Sequence, residues 1–124
     1  MGTATFVVKP ARLESRWAQW HQRELDWWDD SGRDTVSDLE LLPAAKLLEA
    51  LNELTQHSLF RDEIGDKVQR QLDRPEEVIV LIALSVLESI RATDQAARVR
   101  SFAGDSRANV RARARGVYKS LTSG

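Results

Sequence analysis

The chain has 124 residues, 42% of them hydrophobic and 30% charged, with no cysteine and a formal net charge of −1. That length and balance describe a folded chain with one core and little room for a separate catalytic domain. The lack of cysteine excludes disulfide frameworks, thiolate metal sites and cysteine nucleophiles, and the longest apolar run, "VIVLIALSVL", is about half of what a membrane span needs.

The opening "MGTATFVVKP" lacks a basic region followed by an apolar signal core. Phe6 breaks the myristoylation pattern begun by Gly2, so a cytoplasmic location is expected. "TATFVV" alternates and is rich in β-formers, which predicts an extended arm over 1–9 that ends at Lys9-Pro10. Leu13, Trp17, Trp20, Glu24 and Trp28 then recur at helical spacing and predict an amphipathic helix over 11–29, broken by "DDSGRD".

Two overlapping capping boxes follow, Thr35 with Asp38 and Ser37 with Glu40, and Pro43 suits the first turn of a helix. Leu47, Leu48, Leu51 and Leu54 mark a helix ending near His57, and Phe60, Ile64, Val68 and Leu72 mark another over 58–72. Asp73 and Pro75 start a helix over 76–91 that is apolar on nearly every side, as expected in the middle of a core; its β-branched residues leave a buried strand as the alternative. Thr93 opens a shorter helix that Gly104 closes at the residue after the C-cap.

The last segment, "VRARARGVYKSL", alternates like a strand. Val110, Ala114, Val117 and Leu121 nonetheless form a helical stripe, with Arg111, Arg115 and Lys119 on one flank and Arg113 on the other.

The chain repeats itself. "IVLIALSVLESI" aligns with "VRARARGVYKSL" at an offset of 31, pairing Ile79 with Val110, Ala83 with Ala114, Val86 with Val117, Leu87 with Tyr118 and Ile90 with Leu121. A fainter copy, "PAAKLLEALNEL", puts Leu47, Ala50, Leu51 and Leu54 in the same slots. A turn with Asp105, then Val110-Arg111, Ala114 and two further apolar positions resembles HEAT-like helical repeats over roughly residues 43–121, most specifically in the last 50.

The resemblance implies an all-α chain, a short α-solenoid of about five or six helices. It also implies an Asp–Arg bond between successive turns, although Ile79-Val80 replaces Val-Arg in the middle copy. The chain is expected to be one domain over 1–124, with the arm at 1–9, a Trp-rich capping helix at 10–30 and helix pairs over 37–121. A cap would bury Trp17 and Trp20, since terminal repeats need their apolar ends covered.

His21 with Glu24 and Glu53 with His57 stand at helical ligand spacings, but no H-E-x-x-H or paired E-x-x-H pattern, phosphate-binding glycine loop or nucleophile signature is present, so no enzyme activity, metal or cofactor is expected. Charge is uneven. Residues 24–63 carry eleven acids against three bases, whereas residues 91–124 carry eight bases against two acids. Repeat stacks present binding surfaces. The expected function is therefore a protein-interaction module, an adaptor or an inhibitor or immunity-like protein. It would meet a basic partner protein through Asp26, Trp27, Trp28, Asp29 and Asp30. The alternative is nucleic-acid binding through Arg98, Arg100, Arg107, Arg111, Arg115 and Lys119. No membrane association is expected.

Overall fold

The structure, a computed structural model, describes residues 2–123, with side chains described from residue 15 onwards. The described residues are helical with no strand. Where the sequence reading draws one domain over 1–124, contacts within the chain set a boundary after Arg33, giving two compact units, Met1–Arg33 and Asp34–Gly124.

The first unit is a long helix, α1 (Gly2–Trp27), and the turn that follows it. The extended arm expected over 1–9 is corrected to helix over 2–9, with Met1 outside the described residues. β-Propensity is a weak local preference, and once a helix is nucleated each added residue gains a hydrogen bond. Pro10 forfeits one such bond, but its φ fits a helix. "DDSGRD" does not break the helical path either. Trp28–Gly32 form one π-helical turn, flanked by right-handed helical residues at Trp27 and Arg33, and the Arg33 N–H donates to the Trp28 carbonyl.

Gly32 permits this turn by its lack of bulk. A Cβ there would stand 2.7–2.8 Å from three ring atoms of Trp27. The indoles differ in fate. Trp17 is 60% exposed, Trp20 and Trp27 are half-buried, and Trp28 is buried. Trp17 therefore does not bury its ring as a capping residue would.

The second unit begins with α2 (Arg33–Ser37, one residue across the boundary) and a 3-10 turn, Leu39–Leu41. The two expected capping boxes are not formed. Thr35 and Ser37 lie within α2, and the next helix, α3 (Ala44–Leu54), starts after Pro43, whose φ of −66° and ψ of 161° make it the flanking residue. The helix α4 (Arg61–Arg70) runs into a 3-10 turn, Gln71–Asp73. The apolar segment is α5 (Glu77–Ser89), a helix and not a strand. Next come the 3-10 turn Thr93–Gln95, the short helix α6 (Ala96–Arg100) and α7 (Ala108–Thr122).

α5 holds the centre of this unit, packed by α3, α4 and α7, and α6 packs on α7. Its Ile79, Val80, Ala83, Leu84, Val86 and Leu87 have no exposed surface. At about 25 cal/mol per Å² of apolar area removed from water, these side chains contribute a large share of the unit's stability, although α5 is not covered on every side: Val78 is exposed and Leu81 and Ile82 are half-buried. The repeat register survives in burial. Leu47, Ala50, Leu51 and Leu54 on α3, and Val110, Ala114, Val117 and Leu121 on α7, are all buried, as are their counterparts on α5.

Two chain-specific closures hold α5 in place. At its end, the Arg91 N–H donates to the Glu88 carbonyl (3.1 Å) and the Ala92 N–H to the Leu87 carbonyl (3.0 Å), the paired bonds of a Schellman cap. Arg91 takes the left-handed position at φ 60°. Ala92 is buried, and a Cβ on Gly65 of α4 would meet its methyl at 3.2 Å. Gly104, expected to end α6 in the left-handed conformation, does not have positive φ. Its helix stops at Arg100 and the chain leaves through turns.

Candidate functional site

In the first unit, the acidic candidates sit on the last turn of α1 and the π turn. Asp26, Asp29 and Asp30 are exposed. Gln22 Nε2 donates to Asp26 Oδ1 at 2.9 Å, and Arg33 Nη2 to Asp29 Oδ1 at 3.4 Å. The Arg33 guanidinium also lies 6.0 Å from the Trp28 ring centroid. Trp28 is only 9% exposed, so it offers no surface for a partner to grip. Trp27 is half-buried and tilted against it, with ring centroids 6.0 Å apart. The exposed indole is Trp17, stacked on His21 at 4.8 Å.

The second unit has an open groove of ≈ 360 Å³ between α2 and α3. Four carboxylates line it: Asp34 and Asp38 from α2 and its end, and Glu49 and Glu53 from α3. Lys46 is the lone cation of the lining and lies 3.7 Å from Glu49. Half-buried Leu42 supplies apolar surface, with Ala50 buried beneath, and Leu41 next to it is 80% exposed. Sequence reasoning missed this groove. The signal was available as Asp34 and Asp38, and Glu49 and Glu53, each pair four residues apart and so on one helical face.

The basic candidates separate into two groups. Arg98 donates from Nε to Gln69 Oε1 (2.9 Å) and from Nη2 to Asp73 Oδ1 (2.6 Å), tying α6 to the α4 end, and its guanidinium lies 5.1 Å from the Phe102 ring. Arg107 grips Asp105 with two side-chain bonds of 2.9 and 3.1 Å. These bonds, the Arg107 N–H on the same carboxylate, and the nearby charges of Arg107 and Arg111 hold the Asp105 carboxyl below the usual carboxylate range, against a smaller opposing effect of burial.

Arg111 reaches the same turn but donates to the Asp105 carbonyl at 2.9 Å. The Asp–Arg link at this turn is therefore local, and Arg98 of α6 is the arginine that reaches back to Asp73 at the end of α4. The Arg100 guanidinium lies 5.8 Å from the Tyr118 ring, and Arg115 and Lys119 are exposed. Arg113, on the other flank of α7, donates to Ser85 Oγ on α5.

The chain matches no family model, no curated protein and no solved structure. Among the described residues, no group of three or more His, Cys, Asp or Glu could hold a metal ion, and no helix is long and apolar enough to cross a membrane.

Proposed function

We propose that this chain is a non-catalytic protein-interaction module, of the adaptor, inhibitor or immunity type, acting in the cytoplasm. Its partner is a protein that presents a basic segment with apolar side chains. The observation that carries this reading is the α2–α3 groove, in which Asp34, Asp38, Glu49 and Glu53 surround Leu42 and Ala50. A cationic segment gains attraction from the carboxylates, which speeds encounter and sets orientation, and buries apolar area against Leu42 and the neighbouring exposed Leu41.

The helices from α3 onward are read as a short HEAT-like solenoid. Support comes from the three copies of one apolar register, buried except for half-buried Tyr118, and from the packing of α3 on α5 and α5 on α7 with α4 and α6 alongside. Such stacks are scaffolds for surfaces and need no catalytic centre.

The test is affinity purification from the native cell with the parent and with an Asp38→Lys, Glu49→Lys variant. Both positions are exposed, so the variant is expected to melt close to the parent. Loss of a captured basic protein in the variant supports the groove. Equal capture by a folded variant overturns it.

A further inference from the structure

The arginines of the α6–α7 segment are not equivalent. Arg98 and Arg107 are neutralised by Asp73 and Asp105, and Arg113 is turned to Ser85. Arg100, Arg111, Arg115 and Lys119 remain. Between residues 98 and 122 the sequence holds a single acid, Asp105, and Arg107 occupies it. Arg111 donates to the Asp105 carbonyl, which sets its position, and it feels the Asp105 carboxylate through space without a direct ion pair.

On α7, residues 111, 115 and 119 follow one another at about one turn, about 6 Å along the axis. Tyr118 lies at the base of that row, and the Arg100 guanidinium over its ring brings a fourth cation from α6 to the same flank. The half-buried ring and the carbonyl bond act as struts that hold two guanidinium groups before any ligand arrives.

We infer that this flank, Arg100, Arg111, Arg115 and Lys119, binds the phosphate backbone of a nucleic acid without reading its sequence. A row of cations at regular spacing matches a polymer with one charge per repeat, and guanidinium groups hold phosphate oxygens in pairs. Arginine can read guanine edges as well as phosphates, and the scrambled sequence in the experiment separates the two. The flank carries no large aliphatic residue to enter a bilayer, since the apolar side chains of α7 are buried on its other face. The proposal goes beyond the protein-binding reading and uses none of its residues.

The experiment is fluorescence anisotropy of labelled single-stranded DNA, duplex DNA and RNA of one sequence and its scramble, titrated with the full chain as salt is raised. With four cations engaged, log K is expected to fall with log salt at a slope of about −3 to −4. Scrambling should leave K unchanged, and the comparison of DNA with RNA identifies the polymer.

Arg115→Gln with Lys119→Gln should remove about two from the slope. Both side chains are exposed, so this variant is expected to keep the parent's melting curve. Arg98→Lys serves as a control that retains the slope. Absence of binding at low salt overturns the proposal, as does an unchanged slope in the double variant. Equal affinity for polyglutamate or for anionic phospholipid vesicles overturns it in favour of those polyanions.

Discussion

Arg91 shows how a single residue can carry a cost that its neighbours impose. A side chain with a Cβ in the left-handed region is disfavoured by about 1 kcal/mol, which is why glycine is usual at the residue after a helix C-cap. Here the two carbonyls of α5 that accept from Arg91 and Ala92 fix that conformation, and the buried Ala92 locks it. The exposed Arg91 side chain has no role in the cap itself. Arg91→Gly is expected to raise stability by up to about 1 kcal/mol, less the entropy that glycine adds to the unfolded chain. Thermal melting by circular dichroism checks this, and a lower Tm in the variant would show that the side chain contributes more than the strain costs. The end of α5 was read to within two residues, at 91 against Ser89, but the left-handed cap at Arg91 was not legible. No glycine marks it, and the apolar pattern runs on to Ile90 and Ala92. The opposite error occurs at Gly104, where a glycine stands in the expected place and the left-handed turn is absent.

At the scale of elements, the apolar periodicities were legible because burial is what they record. α3, α4, α5 and α7 appear where their stripes predict, with ends moved by a few residues. The turns were not legible, because their geometry depends on partners far along the chain. Glu40, read as a capping-box residue, instead accepts from Arg70 of α4 at 3.0 Å, and Asp73, read as a helix cap, accepts from Arg98. The candidate sites divide in the same way. Charge asymmetry was visible in the sequence, but which arginines are spent on carboxylates was not. The α6–α7 turn has a pH signature of its own. Because hydrogen bonds from Arg107 lower the Asp105 pKa on folding, the turn is supported fully above the unfolded-chain value, and that support disappears as pH falls through the folded value. Asp105→Asn is therefore expected to lower Tm at neutral pH. The difference from the parent should shrink below the ordinary carboxylate range, checked by melting curves over a pH series. A constant difference at all pH values would place the effect in geometry and not in charge.

For the whole molecule, the division after Arg33 separates two kinds of stability. A lone helix in water is marginal and cannot bury its own stripe. By contrast, the buried apolar side chains from Val36 to Leu121 belong to the second unit, and Trp28 is the one buried apolar residue of the first among the described side chains. About ninety residues is enough for an independent core. A fragment of residues 34–124 is therefore expected to fold by itself. It should give a single cooperative thermal transition in far-ultraviolet circular dichroism and a folded near-ultraviolet signal from Tyr118, which lies between Arg100 and the buried stripe of α7. All four tryptophans, at positions 17, 20, 27 and 28, are in the first unit, so the fragment lacks indole emission and its signals report on the second unit alone. A fragment that melts without a cooperative transition would mean that the second unit's core is incomplete without residues 1–33. Because both proposed surfaces, the α2–α3 groove and the α7 flank, lie within residues 34–124, a folded fragment should also retain both binding activities.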